Sequence, residues 1–266
     1  MCMSLPLGQL DEMQNNFLED GVMSSSKAFP DGGIYVLRSS RMYLLAVCHQ
    51  IGVNGHGPHK HNDWLSFELC QDSRPVVIDP GTYCYTGDVE TRRMFRSTAY
   101  HNTVVVDRQD QIQADNAVFG LSNAAGEVQV AEWLSDGDVD ILEAEHTGYF
   151  RLSSPLIHRR KFHLDKRGDT VEIADRFVGH GEHLLEWYFH LNSELTCSRK
   201  DNSLHVLNNG KPLLKIEPPP LCTQTQIQKG WISEEYNVRR EAEIIKLRFE
   251  GELQPDLVFA FNFCPL

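Results

Sequence analysis

Short runs of alternating apolar and polar residues recur along most of the chain. Alternation of this kind places every second side chain on one face of a β-strand, and the residues in these runs are mainly β-branched or aromatic. Clusters of Asp, Asn, Gly and Pro separate the runs, as turns do. The predicted strands cover residues 34–38, 43–47, 65–69, 76–78, 103–107, 128–130, 140–144, 157–164, 170–177, 185–191, 244–249 and 257–261.

Many short strands at near-regular spacing, with no interior helix, predict an all-β sandwich or barrel. Residues 29–266 contain no repeat and no low-complexity linker, so we expect them to form one domain. Residues 1–28 carry a loose helical stripe of Leu, Met and Phe. We interpret them as a linker or as the remnant of a preceding helical domain.

The composition limits the classes of partner and metal site that are compatible with this sequence. The chain has 266 residues, 41% hydrophobic and 23% charged, which is typical of a soluble globular protein. Its net charge of -12 argues against a nucleic-acid partner but allows an acidic ligand bound by a local basic cluster. We expect no membrane span and no signal peptide within this sequence. Seven cysteines without a C-x-x-C pair argue against a thiolate zinc site.

The most informative motif is an H-x-H pair, His59 and His61, directly before a predicted strand. In an extended backbone, side chains two residues apart point to the same face. Asp79 ends a buried-looking strand, and His101 precedes another. Two imidazoles and a carboxylate form a donor set that suits Zn²⁺. The alternative is that the histidines only form hydrogen bonds in loops and that Asp79 caps a turn.

Two further groups are chemically plausible. Arg92, Arg93 and Arg96 follow Tyr83 and Tyr85, which combines carboxylate-binding guanidinium groups with proton-transferring phenols. The alternative for this group is a solvated loop.

The other group combines the segment 145–149, which contains His146, with His190 in a later strand. Imidazoles on strands often form only the polar edge of a core, and that interpretation is favoured for both histidines.

Several motifs resemble the C-terminal region of the heparinase II/III-like polysaccharide lyases. These are G-x-H-x-H-N-D-x-L-S-F-E-L from Gly57, V-I-D-P-G-T-Y-x-Y from Val77, R-S-T-x-x-H-N-T-V-x-V-D from Arg96 and, more weakly, H-x-G-Y from His146. The resemblance runs from about residue 29 to residue 190. The first three motifs are long and occur in order, so the match is specific.

The resemblance implies a large two-layered antiparallel β-sandwich, normally preceded by an α/α toroid domain that acts as its partner. It also implies β-elimination of an acidic, uronic-acid-containing polysaccharide, in a periplasmic or secreted protein. Heparan sulfate, alginate and bacterial exopolysaccharide all remain open as substrates. Without a toroid, we expect this chain to be inactive or weakly active.

The resemblance also implies roles for individual residues. His59 is the expected catalytic histidine, and His61, Asp79 and His101 are the expected ligands of a zinc ion with a mainly structural role. Tyr85 is the candidate catalytic tyrosine, with Tyr83 as the other option. The candidates for substrate contact are Tyr83, Arg96, Asn102 and His190.

Two other functions are compatible with the motifs. One is a noncatalytic carbohydrate-binding or scaffold sandwich in which a metal only staples the loops. The other is a cupin-like metal enzyme, but that fold would place a Glu between the histidines, and no Glu occurs at a matching spacing.

Overall fold

The structure, a computed structural model, describes residues 25–50, 59–113 and 126–266. Within these ranges the chain forms seventeen β-strands, one α-helix and three 3-10 turns. The strands are β1 (Lys27–Phe29), β2 (Ile34–Arg38), β3 (Met42–Val47), β4 (Phe67–Gln71), β5 (Arg74–Val77), β6 (Val104–Val106), β7 (Val128–Ser135), β8 (Val139–His146), β9 (Leu156–Asp165), β10 (Thr170–Gly179), β11 (Gly181–His190), β12 (Leu195–Lys200), β13 (Ser203–Asn208), β14 (Lys211–Glu217), β15 (Gln224–Glu235), β16 (Val238–Leu253) and β17 (Phe259–Pro265). Helix α1 spans Val89–Arg96, and the 3-10 turns span Pro30–Gly32, Thr98–Tyr100 and Gly148–Arg151.

The strands form three antiparallel sheets. One is the meander β1-β2-β3-β4-β5, the second has the order β15-β16-β11-β6, and the third has the order β12-β13-β14-β17-β10-β9-β8-β7. A bridge between Val77 and Leu191 connects the first two sheets edge to edge, and the Ile78 N–H donates to the His190 carbonyl at 2.9 Å. These two sheets together form one layer, and the eight-stranded sheet forms the other.

Aromatic side chains fill the space between the two layers. Phe67 of β4 lies with its ring centre 6.2 Å from that of Phe162 in β9 and 5.8 Å from that of Phe263 in β17. Trp187 of β11 packs on Phe259 of β17 at 4.9 Å. Burying one such ring contributes about 1.5–3 kcal/mol. The prediction of a two-layered antiparallel β-sandwich is confirmed.

Helix α1 was not predicted, and the expectation of no interior helix is wrong at this position. Asp88 caps the helix, because its side chain accepts the Thr91 N–H at 3.0 Å. The buried face carries Arg92, Phe95 and Arg96. Two of these three residues are arginines, so the segment lacks the apolar stripe that identifies an amphipathic helix in a sequence.

Strands β12 to β15 were also missed. The Asn-Asn-Gly sequence at 208–210 is one of the Asn and Gly clusters expected at turns, and it forms a turn between β13 and β14: Asn209 has φ 50° and Gly210 has φ 74°. Left-handed backbone at both central residues is the requirement of a tight hairpin turn.

Three remaining expectations concern the chain ends, membranes and cysteines. Residues 1–24 of the predicted linker lie outside the described residues. The described part of the chain has no helix with the length and hydropathy that crossing a bilayer requires. The six cysteines in the described ranges are free thiols.

Candidate active site

The two histidines of the H-x-H motif lie in different environments. Residues 59–66 form turns and bends rather than a strand; His59 is exposed and His61 is buried. Helix α1 holds this segment, because the Asn62 N–H donates to the Arg96 carbonyl at 3.0 Å and Arg96 Nε donates to the Lys60 carbonyl at 3.1 Å. The extended backbone on which a shared face was predicted is not formed, so that part of the expectation is wrong.

Asp79 and His101 form a direct pair. Asp79 Oδ1 accepts the Gly81 N–H at 2.9 Å, and Asp79 Oδ2 lies 2.6 Å from His101 Nδ1. Burial alone raises the pKa of Asp79 and lowers that of His101. The attraction between the two groups outweighs burial, so the pKa of Asp79 is lowered and that of His101 is raised. Each charge therefore stabilises the other.

His61 lies beside this pair, with its ring centre 5.1 Å from that of His101. Burial, and after it the charge of His101, lowers the pKa of His61 to about 4. At neutral pH the imidazole is therefore neutral and keeps a lone pair. His101 Nε2 is buried and has no hydrogen-bond partner among the described residues. Two imidazoles and a carboxylate so placed fit a zinc ion in donor type.

The donor atoms of His61, Asp79 and His101 are not arranged as they would be around a bound metal ion. Across residues 25–50, 59–113 and 126–266, no three His, Cys, Asp or Glu groups are placed to hold a metal ion. Asp79 bonds to His101 Nδ1 directly, whereas metal binding would displace the proton shared there. Zinc binding by His61, Asp79 and His101 therefore stays a prediction.

A second carboxylate, Asp63, stands close to the same group and was not singled out from the sequence. Its charge raises the pKa of both His61 and His101. Burial raises the pKa of Asp63, but the nearby His49, with Nε2 at 3.2 Å from Asp63 Oδ2, lowers it below its usual range. Asp63 Oδ1 also lies 3.2 Å from His49 Nε2, so both carboxylate oxygens face the same imidazole nitrogen. The Asn-Asp pair directly after the H-x-H motif was the available signal.

His59 lies against Tyr85. Their ring centres are 5.5 Å apart and the ring planes meet at 81°. The guanidinium carbon of Arg92 lies 4.7 Å from the centre of the Tyr85 ring, and Tyr83 stacks on Phe95 of helix α1 at 5.8 Å. An exposed imidazole beside a phenol brings two proton-transfer groups together. The catalytic roles of His59 and Tyr85 stay predictions.

Three of the predicted substrate-contact residues are enclosed. Arg96 is 5% exposed, and Asn102 and His190 are fully buried. Asn102 Nδ2 donates to the carbonyls of Phe67 and Ile78, both at 2.8 Å, and Asn102 Oδ1 accepts the His190 N–H at 2.8 Å. The observed contacts tie together β4, the residue that follows β5, and β11. Substrate contact by these three side chains stays a prediction.

A buried ion pair lies behind the site. Arg160 Nε and Nη2 donate to the two carboxylate oxygens of Asp175 at 2.7 and 2.6 Å, and both side chains are 0% exposed. Arg160 Nη1 donates to the carbonyls of Leu65 and Asn102 at 2.8 and 2.9 Å. Trp187 Nε1 donates to Asp175 at 2.7 Å. One guanidinium thus joins the segment that follows the H-x-H motif to the residue that follows His101.

The histidine of the 145–149 segment belongs to this network. His146 Nε2 lies 3.1 Å from His158 Nδ1, and His158 Nε2 lies 2.8 Å from Asp175 Oδ1. Burial holds the pKa of His146 well below its usual value. These contacts support the structural interpretation of His146.

Known proteins are similar to this chain in sequence and in fold. The family described as "Heparinase II/III-like, C-terminal" matches residues 22–260. The "Heparin-sulfate lyase" of Bacteroides thetaiotaomicron is 27% identical over 196 residues, covering 68% of this chain and 25% of that protein.

Two solved structures superpose over nearly the whole chain. Heparan sulfate lyase HepC from Pedobacter heparinus gives a TM-score of 0.73 at 19% identity, over 97% of this chain and 41% of its own. The crystal structure of heparinase III gives a TM-score of 0.72 at 17% identity, over 91% of this chain and 37% of its own. At this identity the superpositions establish the fold. The chain spans about a quarter of the length of the curated relative.

Proposed function

The chain belongs to the heparinase II/III-like family, as its C-terminal domain, and we propose that it supplies the β-sandwich side of an active site that cleaves an acidic polysaccharide by β-elimination. The observation that carries this proposal is the contact between the half-buried Tyr85 and the exposed His59, two residues along the chain from His61, which lies beside His101 and its partner Asp79. The proposed substrate class is a glycosaminoglycan containing uronic acid, because the curated relative is a heparin-sulfate lyase.

β-Elimination needs a base and an acid, and His59 and Tyr85 are the proposed groups. A base removes the proton at C5 of the uronic acid, the electrons form a C4–C5 double bond, and the C4–O4 bond breaks as O4 takes up a proton. Positive charge or hydrogen bonds at the carboxylate stabilise the enolate-like intermediate. His59 and Tyr85 are the proposed base and acid, because their rings are in contact and both groups exchange protons.

The remaining wall of the cleft is proposed to come from an α/α toroid domain. The matched part of the curated relative is 25% of its length, so the relative has ample chain outside the sandwich for a second domain. We expect the 266-residue chain alone to release almost no unsaturated uronide from heparan sulfate, alginate or bacterial exopolysaccharide. Ultraviolet absorbance of the products measures this, and the protein with its toroid is the positive control. Strong lyase activity from the chain alone would contradict the proposed division of the site.

We propose that His61, Asp79 and His101 hold a zinc ion. The neutral His61 beside His101, and the carboxylate of Asp79 at 2.6 Å from His101 Nδ1, support this assignment. When bound, zinc would supply a fixed cationic cross-link between the segments that carry His59 and Tyr85. The proton that Asp79 and His101 share would be released on binding.

Metal analysis of the purified chain tests this site. We expect about one zinc per chain, and His101→Ala should weaken zinc binding by more than about 100-fold, since even outer-shell partners of a zinc ligand contribute 10–100-fold. His183→Ala is the matched control, because His183 is also buried and its Nδ1 lies 2.8 Å from a carboxylate, that of Asp107. Equal zinc content in both variants would refute the assignment.

A further inference from the structure

The hairpin of β15 and β16 is fixed to the turn that carries the two candidate tyrosines. The Ser233 N–H donates to the Pro80 carbonyl at 2.7 Å, and the Asn237 N–H donates to the Tyr83 carbonyl at 2.7 Å. Gly81 has φ 81°, and a Cβ added there would lie 2.1 Å from the Ser233 carbonyl oxygen. The close approach of hairpin and turn therefore requires glycine at position 81. The hairpin tip is therefore held in a fixed position against the turn that carries Tyr83 and Tyr85.

Aromatic rings continue from the candidate catalytic pair onto the hairpin tip. Tyr85, which contacts His59, also stacks on Tyr236, with ring centres 6.0 Å apart and planes at 22°. Tyr236 is 57% exposed. A large ring is ordinarily buried in proteins, and an exposed one held in a stack offers an apolar face for a ligand. The C–H face of a pyranose ring fits such a surface.

A guanidinium lies on the same hairpin and contacts the turn that carries both candidate tyrosines. The Arg239 guanidinium carbon is 4.5 Å from the ring centre of Trp231 and 5.4 Å from that of Tyr83. Two aromatic rings thus lie within cation–π distance of it, and such contact leaves N–H groups available for hydrogen bonds. Among the described residues, no carboxylate forms an ion pair with Arg239. The exposed Asp88 senses its charge only weakly, as the last contribution to a lowered pKa.

We propose that Trp231, Tyr236 and Arg239 form a subsite that binds one acidic sugar unit next to the unit held at His59. The rings pack against the pyranose, and Arg239 binds its anionic oxygens, either a carboxylate or a sulfate, through two parallel hydrogen bonds. Against a net charge of -12, a polyanion needs such a local cation to approach. This inference rests on the proposed lyase function and extends its substrate cleft.

The test compares two neighbouring arginines. Arg240 is also exposed, but it pairs with Glu234 at 3.7 Å. Binding of size-defined heparan sulfate and alginate hexasaccharides to the 266-residue chain is measured by calorimetry. We expect Arg239→Ala to weaken binding by about 10-fold or more, and Arg240→Ala to change it by less than about 2-fold. Equal weakening of both sugars indicates carboxylate recognition, and a selective loss for heparan sulfate indicates sulfate recognition.

Two further variants separate charge from stacking. Arg239→Lys keeps the charge but loses the planar fork, so we expect an intermediate loss. Tyr236→Ala should weaken binding, whereas Tyr236→Phe should retain it. Equal affinity of Arg239→Ala and Arg240→Ala overturns the subsite, and so does an absence of hexasaccharide binding by the unmodified chain.

The protein with its toroid domain distinguishes failure of the subsite from failure of the lyase proposal. There, Arg239→Ala should raise KM for the polysaccharide and leave kcat unchanged, because the interaction is made equally in the ground and transition states. An unchanged KM with normal turnover refutes the subsite alone. Absence of lyase activity in the unmodified protein refutes the proposed function, and hexasaccharide binding then still decides the subsite.

Discussion

Replacing His59 by alanine in a protein that includes the proposed toroid domain should lower kcat by a factor of about 100 to 10,000, which is the contribution of one general acid or base. His59 is exposed and contacts Tyr85, whereas His61 and His101, two of the residues proposed to hold zinc, are buried. The variant should therefore keep its zinc. Ultraviolet absorbance of the unsaturated product gives the rate, and metal analysis gives the zinc content.

His180→Ala is the control for this loss, because His180 is also exposed but lies in the turn between β10 and β11. Its turnover should match that of the unmodified protein. A noncatalytic carbohydrate-binding or scaffold domain predicts nearly equal activity for both variants. His61→Ala should behave differently again, losing zinc and activity together. This pattern separates a reacting imidazole from one that holds the structure.

The fold was largely predictable because alternation is a local signal. In β9 every second residue is buried over ten positions, and β8 alternates in the same way. Such strands have one face in the core, so their pattern survives in the sequence. In β15 most residues are exposed or half-buried, so its sequence carries no comparable alternation. Helix α1 was not predicted because two of its three buried positions are arginines rather than apolar residues.

The candidate site was predictable in its membership but not in its geometry. The H-x-H pair and the strand-end positions brought His59, His61, Asp79 and His101 to attention, the family resemblance implied their roles, and the structure brings the last three together. Spacing could not show that the backbone bends at residues 59–66, because Leu65 adopts φ 58° in a segment whose letters alternate like a strand. Distant contacts such as Asn237 to Tyr83 depend on the tertiary fold and leave no local signal.

Arg160 illustrates the same limit inside the core. In the sequence it is the middle of three basic residues, which suggests a solvated strand face. In the structure Arg159 is partly exposed on one side of β9, and Arg160 is fully buried on the other. The charge is tolerated there because Asp175, Leu65 and Asn102 accept its hydrogen bonds. Only the folded pairing of β9 with β10 brings that carboxylate into place.

The second large effect follows from this buried pair. Replacing Arg160 by methionine should lower the free energy of unfolding by about 3–5 kcal/mol, since it leaves Asp175 as an uncompensated charge in the core. Burial raises the pKa of Asp175, but Arg160 and then His158 lower it below its usual range. In the unmodified protein, the stability linked to Asp175 is thus present above the ordinary Asp pKa and lost as the pH falls below it. Urea unfolding at neutral pH measures the difference between the two proteins.

Arg167→Met is the matched control. Arg167 also makes a two-pronged pair, with Asp138 at 2.8 Å, but the side chains are 77% and 56% exposed. An exposed pair of this kind contributes less than about 1 kcal/mol. Similar losses in the two variants would show that burial of Arg160 does not decide its effect.

Arg160→Lys keeps the charge but cannot reach Asp175 and both loop carbonyls with one ammonium group. It should therefore remain folded while binding zinc more weakly, because the segments carrying His61 and His101 lose their common anchor.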